Sequence, residues 1–145
     1  MSTGSRRNLN PRARFVRGDV ASPAAERLVK RLKPDVIYHL AAQKDVRLSV
    51  NDPVMDARVN VLGLLMLVRG ALAAGGVKRF IFTSTGGAIY GGADVLPTPE
   101  DYPARPLSPY GASKLASELY LSSYRLTGLL PFVSLRLGNV YGPRQ

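Results

Sequence analysis

The 145-residue sequence predicts an α/β fold built on a parallel sheet, and three observations support that prediction. Short β-rich apolar runs alternate with longer segments of helical character, as in strand–helix–strand units. The apolar run near residue 38 is continuous, which is typical of a strand buried on both faces. The polar and glycine-rich residues with chemical potential all follow a strand or begin a helix. Right-handed crossovers would bring these residues to one edge of the sheet, where ligands of such folds bind.

The predicted elements follow the order β-α-β-α-β-α-β. Two of the helices begin with a serine and a proline, Ser22–Pro23 and Ser108–Pro109, which suit a helix cap and first position. Gly75 and Gly76 end the middle helix. The predicted strands are Ala13–Asp19, Asp35–Ala42, Lys78–Thr85 and Pro131–Asn139. The predicted helices extend from Pro23 to Leu32, from the Asn51–Pro53 stretch to Ala74 and from Pro109 to Leu126, with a loop over Gly86–Leu107.

The composition excludes several classes of protein. Hydrophobic residues make up 46% of the chain, which predicts a folded core rather than disorder. The sequence has no cysteine, so disulfides and thiolate metal sites are excluded and a cytoplasmic location fits. No metal site is expected. The basic start lacks the apolar region of a signal peptide. The longest apolar stretch, Val61–Val68, is too short to span a bilayer, so no membrane association is expected.

The chain is strongly basic, with a formal net charge of +10 from 20 basic and 10 acidic residues. Charge alone keeps nucleic-acid binding open as an alternative. However, there is no long Lys/Arg run, no aromatic interleaving and no helix striped with arginine, so a nucleic-acid partner is not expected. A basic surface that attracts an anionic small ligand, such as a nucleotide, also fits this charge.

Tyr110 and Lys114 lie four residues apart and would share one face of a helix. A nearby ammonium lowers the pKa of a tyrosine from its ordinary value of about 10. Such a pair could move a proton to or from a substrate hydroxyl. Taken alone, the pair is better explained as an ordinary solvated helical turn, because Tyr-x-x-x-Lys often occurs by chance.

The end of the third predicted strand adds hydroxyl groups and flexible backbone. Ser84 and Thr85 precede Gly86 and Gly87. A hydroxyl here could bridge to a substrate oxygen, and the glycines would let the backbone approach a ligand closely. An ordinary turn, with its hydroxyls bonded to local backbone, is the alternative.

The turn after the second predicted strand has small side chains. Ala41 and Ala42 leave room for a flat ring or a pyrophosphate, and Lys44 could meet a phosphate or a hydroxyl. His39 lies inside the apolar run and is interpreted as a packed core residue, not as a catalyst or ligand.

Taken together and in order, these motifs resemble the extended short-chain dehydrogenase/reductase family, and within it the NAD-dependent nucleotide-sugar epimerases. The resemblance extends over essentially the whole chain, in the segments RFVRGDV, VIYHLAAQKDV, VNVLG, FIFTSTGGAIYG, SPYGASK and LRLGNVYGPRQ. It implies NAD as cofactor and a UDP-sugar as substrate. In that family, bound NAD takes a hydride from C4 of the sugar while a tyrosinate takes the hydroxyl proton, and the hydride returns to the other face.

The resemblance also implies roles for individual residues. Tyr110 would be the catalytic base, Lys114 its partner, and Thr85 the catalytic hydroxyl, with Ser84 as the less favoured candidate for that role. Cofactor contacts are assigned to Asp19, Val20, Leu40, Ala41, Ala42, Lys44, Asn60, Tyr110, Lys114 and Gly138. Substrate contacts are assigned to Ser84, Thr85, Tyr110 and Asn139.

The glycine-rich phosphate-binding turn of such proteins is not found among the 14 glycines of the sequence. We therefore expect residues 1–145 to form a partial doubly wound Rossmann-type parallel sheet with flanking helices. The first two strands of the family and its C-terminal substrate region would be absent. The strand that contains His39 would then have an unpaired edge. The isolated chain is expected to bind NAD poorly and to show little or no activity.

Gly86 and Gly87 distinguish among the family's reactions. The family's sugar-nucleotide dehydratases carry an acidic pair at this place, and its decarboxylases a glutamate. Without a positioned carboxylic acid, the elimination of water lacks its proton donor. The sequence thus favours an epimerase. Another dehydratase or reductase of the family, or a non-catalytic module that binds nucleotide or another chain, remains an alternative.

The family commonly dimerises through a bundle of two helices from each subunit. The corresponding helices here, near Val54–Ala74 and Tyr110–Leu126, are both present. A homodimer through this bundle, or a second chain that completes the fold, is therefore expected.

Overall fold

The computed structural model describes residues 5–143, which form a three-stranded parallel sheet with helices packed against it. The strands lie in the order β1-β2-β3, and every pairing is parallel. Their bounds are β1 Val36–His39, β2 Arg79–Thr85 and β3 Phe132–Leu137. The predicted parallel α/β fold is confirmed.

The three predicted helices are present, and two carry the side-chain cap that their sequences indicate. The helices are α1 Pro23–Leu32, α2 Val46–Asn51, α3 Pro53–Ala57, α4 Gly63–Ala74, α5 Gly86–Ile89 and α6 Pro109–Leu126, after a short 3-10 turn at Arg6–Asn8. Asp52 caps α3 by accepting a hydrogen bond from the Met55 N–H. Ser108 caps α6 by accepting one from the Gly111 N–H. Ser22 precedes α1 but donates its hydroxyl to the Asp19 carbonyl instead of capping the helix.

A π-helical turn, Arg58–Leu62, joins α3 to α4, so that Pro53–Ala74 is one continuous helical segment. By length and composition this segment could cross a membrane. The run Val61–Val68, which is too short to do so, is only part of it. It nevertheless buries Asp56 and Asn60, and its C-terminal half packs in the protein core. A core helix of a folded domain passes the same test, and the buried contacts favour that interpretation.

The hydrophobic core lies between β2 and the helices α4 and α6. Phe80 and Phe82 project from β2 into this layer and are almost fully buried. Leu64 and Val68 of α4 and Leu121 of α6 meet them there. Burying large apolar side chains of this kind contributes about 1.5–3 kcal/mol each. The core thereby fixes α6 against β2, and the candidate catalytic residues are on these two elements.

The prediction that the strand near residue 38 is buried on both faces is wrong for the described residues. Tyr38 of β1 is 68% exposed, and alternate residues of β3, such as Leu135, are also exposed. The core helices α4 and α6 pack against β2 through the face that carries Phe80 and Phe82. The opposite face is therefore open in the described part of the chain.

The predicted strand Ala13–Asp19 is also wrong: this segment is irregular. A strand exists only through hydrogen bonds to a neighbour, and no strand of residues 5–143 lies beside this segment. β1 ends at His39 instead of Ala42, and β3 is shorter at both ends than predicted. Helix α2 was not predicted, and α5 begins the stretch predicted as loop. The outer edge of β1 is unpaired among the described residues, as expected.

Candidate active site

Tyr110 meets Thr85 at the carboxyl edge of the sheet. Tyr110 is in the first turn of α6, Thr85 is the last residue of β2, and Thr85 acts on the Tyr110 phenol as a hydrogen-bonding group that lowers its pKa. The Tyr110 N–H donates to Ser49 Oγ at 3.1 Å, which ties the start of α6 to α2. Two residues that the sequence places 25 positions apart are therefore brought together by the packing of α6 on β2.

The acidity of Tyr110 differs from the sequence expectation. Burial raises the pKa of the phenol above its usual value, the Thr85 hydrogen bond opposes that rise, and the charge of Asp56 adds to it. The expected lowering of this pKa by Lys114 is not observed. Lys114 directs its ammonium to the backbone of β2 instead.

Lys114 is buried, with 4% of its surface exposed. Its Nζ donates to the Thr83 carbonyl at 2.8 Å and lies 4.8 Å from the centre of the Phe82 ring. Burial lowers the pKa of this amine to about 8, although Asp56 and Glu118 favour its charged form. At neutral pH the ammonium form therefore still predominates, but with a small margin.

Asn60 uses its side-chain amide inside the protein. Its Oδ1 accepts from the Gln43 N–H at 2.9 Å, and its Nδ2 donates to the Gln43 carbonyl, to Asp56 Oδ1 and to Ser113 Oγ. Asn60 therefore fixes the turn after β1 to α6. The predicted cofactor residues Leu40, Ala41, Ala42 and Lys44 belong to this turn, in which Leu40, Ala41 and Lys44 are exposed.

Gly138 and Asn139 follow β3 and are exposed. In the sheet register Leu137 is paired with Thr85, so these two residues begin next to the Thr85–Tyr110 pair. The predicted site residues of β2, β3 and α6 thus share one edge of the sheet.

Asp19 and Val20 lie against the π-helical turn rather than at the end of a strand. Asp19 Oδ1 accepts from the Ala21 N–H, and Oδ2 pairs with Arg58 at 2.5 Å. The Ala21 hydrogen bond and Arg58 hold the pKa of Asp19 below its usual value. Val20 packs on Gly63, where an added Cβ would lie 2.9 Å from Val20 Cγ2. A cavity of about 590 Å³ adjoins this segment.

A partly buried ion pair braces the other side of α6. Arg136 of β3 binds both carboxylate oxygens of Glu118, with the shortest contact 2.8 Å. The same guanidinium donates to the Tyr90 hydroxyl at 2.7 Å and to the Glu100 carbonyl at 2.9 Å. This arrangement attaches the loop after α5 to β3. It borders a second cavity of about 660 Å³ that Gly86 also lines.

Sequence reasoning missed several of these residues, namely Gln43, Asp56, Ser113, Glu118 and Arg136. For two pairs a signal was present. Asp56 and Asn60 are four residues apart on one helix face, and Ser113 and Ser117 lie on the same face of α6. No local pattern links Gln43 to Asn60, because their contact spans 17 residues.

Side chains with hydroxyl and amine groups, together with small residues, lie at the carboxyl edge of the parallel sheet. This fold and this edge are those of the nucleotide-binding α/β proteins of Rossmann type. A model of the NAD dependent epimerase/dehydratase family matches residues 1–145. The chain belongs to this family.

The relatives agree with that assignment. A UDP-glucose 4-epimerase of Mycolicibacterium smegmatis is 43% identical over 150 residues, covering 100% of this chain and 48% of that protein. Proteins named dTDP-glucose 4,6-dehydratase also match, at 37% identity for the mouse protein.

Solved structures give the same result. The Thermus thermophilus UDP-glucose 4-epimerase, solved with NAD, superimposes with a TM-score of 0.93 at 46% identity, covering 100% of this chain and 47% of that one. The Thermotoga maritima UDP-glucose 4-epimerase, solved with UDP-glucose, gives 0.91 at 43% identity and the same coverage. The chain spans about half the length of these relatives.

The residues present fit the ribose and nicotinamide end of NAD. Thr85, Tyr110 and Lys114 supply hydroxyl and amine groups at one edge. Gly87 and Gly138 leave open space there, since an added Cβ would meet no atom within 4 Å at either. Lys114 could hold ribose hydroxyls, and NAD would supply hydride acceptance and return. The phosphate-binding turn has no counterpart among these 145 residues.

We predict that Thr85→Val raises the pKa of Tyr110 further above its usual value. The valine keeps the shape of threonine but removes the hydroxyl that stabilises the phenolate. The measurement is a pH titration of ¹³C-labelled tyrosine by NMR, with the Tyr110 signal assigned from Tyr110→Phe. Thr83→Val, on the same strand, is the matched control and should leave the titration unchanged. An unchanged Tyr110 titration in Thr85→Val would contradict the assigned hydrogen bond.

Proposed function

We propose that the protein to which this segment belongs is an NAD-dependent epimerase that inverts C4 of a UDP-linked hexose, of the UDP-glucose 4-epimerase type. The observation that carries the proposal is the placement of Thr85, at the end of β2, beside the first turns of α6 with Tyr110 and the buried Lys114, at the edge of the parallel sheet. The similarity to epimerases solved with NAD and with UDP-glucose supports the choice of cofactor and substrate.

Each residue of the chain then has a defined task. Tyr110 takes the proton of the sugar 4-hydroxyl and later returns it to the same oxygen. Thr85 donates a hydrogen bond that stabilises the phenolate form of Tyr110. Lys114 would hold hydroxyls of the nicotinamide ribose; its ammonium donates to the Thr83 carbonyl and is not among the causes that shift the Tyr110 pKa. Bound NAD supplies the oxidation and reduction at C4.

Gly86 and Gly87 support epimerisation over dehydration. A dehydratase of this family needs acidic side chains directly after the catalytic threonine, and here both positions lack a side chain. A side chain at Gly86 would also be crowded, because an added Cβ would lie 3.2 Å from the Arg136 carbonyl oxygen. The 4-keto sugar would therefore have no carboxylic acid at this place to assist loss of water.

The 145-residue chain by itself is proposed to bind NAD weakly and to be inactive. Pyrophosphate binding in this fold depends on backbone N–H groups of a glycine-rich turn at a helix start. That turn is not in the sequence. The cysteine-free composition fits a cytoplasmic protein. The similarity to UDP-glucose 4-epimerases supports a role in nucleotide-sugar metabolism.

We further propose a homodimer through α6 and the continuous helical segment Pro53–Ala74, which we call the long helix. Both helices expose large apolar side chains, including Val54 at 77% and Leu62 at 48% on the first helix and Leu119 at 64% and Leu126 at 85% on α6. Leu119 and Leu126 are seven residues apart and share one face. Exposed apolar stripes on two adjacent helices are typical of a protein interface.

Epimerase activity is tested in a chimera in which this chain replaces the matching segment of the Mycolicibacterium smegmatis relative. The chimera should interconvert UDP-glucose and UDP-galactose, followed by chromatography of the two sugars. Tyr110→Phe should reduce kcat by about 10²–10⁴-fold, since it removes the proton acceptor. Tyr120→Phe, on the same helix and 44% exposed, is the control and should retain activity. A folded chimera without interconversion, or an active Tyr110→Phe variant, would refute the proposal.

The dimer is tested by light scattering after size-exclusion chromatography. The chimera should have the mass of a dimer, and Leu119→Glu should reduce it to a monomer because a charge is buried in the interface. Leu96→Glu, in a loop and 82% exposed, is the matched control and should remain dimeric. The proposed interface would be contradicted if the chimera without this substitution is a monomer, or if the Leu119→Glu chimera remains a dimer.

A further inference from the structure

Asp56 is a fully buried carboxylate on α3, with 0% of its surface exposed. Its Oδ1 accepts hydrogen bonds from Gln43 Nε2 at 2.8 Å and from Asn60 Nδ2 at 3.1 Å. Its Oδ2 is buried and has no hydrogen-bond donor among residues 5–143. Neither the resemblance to the family nor the function proposed above assigns it a role.

A buried carboxylate with an unpaired oxygen is costly for a folded protein. An asparagine could accept the same two hydrogen bonds at Oδ1 without carrying a charge into the core. The hydrogen bonds of Asp56 therefore do not by themselves require a charged residue here. A task that depends on the negative charge would explain the carboxylate.

Hydrogen bonds connect Asp56 to the first two turns of α6. The Asn60 Nδ2 group that donates to Asp56 also donates to Ser113 Oγ at 3.1 Å. Ser113 in turn donates to the Tyr110 carbonyl at 2.9 Å, and Lys114 is the next residue on α6. The buried cation near this cluster, within the described residues, is Lys114, at 4% exposure.

We propose that Asp56 is a positioning residue whose buried negative charge keeps Lys114 in its ammonium form. Lys114 needs this help because its surroundings, the Phe82 ring and the Thr83 carbonyl, offer no full negative charge. The inference rests on the proposed function only for its consequence, since the proposed contact with the ribose hydroxyls is assigned to the ammonium.

Other charged or titratable groups near Lys114 do not replace Asp56. Glu118, one turn further along α6, also favours the ammonium, but it is bound at both oxygens by Arg136. His39 of β1 is buried, and burial lowers its pKa to about 4, so it is neutral at pH 7. The remaining such groups on the elements around α6 are Arg47 on α2, Arg58 on the π-helical turn, Arg79 on β2, Tyr90 after α5 and Tyr110 itself.

The direction of the effect can be measured without NAD or substrate. The pKa of Lys114 is about 8 in the unsubstituted protein. It should fall in Asp56→Asn, because burial lowers this pKa and the negative charge that opposes the lowering is then gone. The measurement is a pH titration of ¹³Cε-labelled lysine in the full chain by NMR, with the Lys114 signal assigned from Lys114→Met. Asp52→Asn is the matched control. It removes an exposed charge one turn away, keeps a good helix cap, and should not shift Lys114.

Two results would overturn the proposal. If Asp56 only holds the structure, its loss would admit water to Lys114, and the pKa would rise toward the ordinary 10.5. If the two groups do not interact, the titration would be unchanged. Either result leaves the proposed epimerase activity standing, because that activity is tested separately by the sugar conversion.

A thermal double-mutant cycle covers the case in which Asp56→Asn does not remain folded at every pH. Lys114→Met alone leaves Asp56 as an uncompensated buried charge and should lower Tm strongly. The double variant Asp56→Asn/Lys114→Met should melt above the temperature expected from adding the two single losses. Simple additivity would overturn the proposal.

Discussion

The amide of Asn60 is the contact on which the candidate site depends. Its four hydrogen bonds join the turn after β1, the long helix and α6, beside the bonds from Gln43 to Asp56 and from Ser117 to the Asn60 carbonyl. Asn60 belongs to a π-helical turn, and such turns interrupt the regular spacing of a helix and often occur at functional sites. The amide is 2% exposed, so its bonds form where water does not compete. The relative placement of Gln43, Asp56 and Ser113 follows from this one side chain.

The same burial that stabilises this network determines the acid–base properties of the site. Burial raises the pKa of Tyr110 and lowers the pKa of Lys114 to about 8. In both cases the neutral form is favoured, which opposes the phenolate–ammonium pair that a proton transfer requires. Thr85 acts against that tendency at Tyr110, and Asp56 acts against it at Lys114, although the charge of Asp56 also adds to the rise of the Tyr110 pKa. The site is thus a balance between desolvation and a few placed polar groups, and its reactivity depends on the charge of whatever binds beside it.

The sequence predicted those features that depend on local patterns. The bounds of α1 and α6 were predicted from a serine–proline start, and the meeting of Thr85 with Tyr110 followed from the carboxyl-edge rule for parallel sheets. Features that depend on distant neighbours were not predicted. The segment Ala13–Asp19 has the composition of a strand but no partner strand in the described residues, and Gln43 and Asn60 meet only in the folded chain. The pKa of Tyr110 was predicted in the wrong direction, because burial, which outweighs other effects here, is not visible in a Tyr-x-x-x-Lys motif.

If Asn60 holds the turn after β1 against α6, the amide hydrogen exchange of Gln43 depends on its side chain. The Gln43 N–H donates to Asn60 Oδ1, so Asn60→Ala should speed its exchange by at least about tenfold, the equivalent of 1.4 kcal/mol. The amides of α4 should keep their protection. Ser117→Ala, which removes a buried hydroxyl of α6 but leaves the Asn60 side chain intact, should not speed exchange at Gln43. If the Gln43 amide remains equally protected in a folded Asn60→Ala protein, the turn is held by something else and the account of the site is wrong.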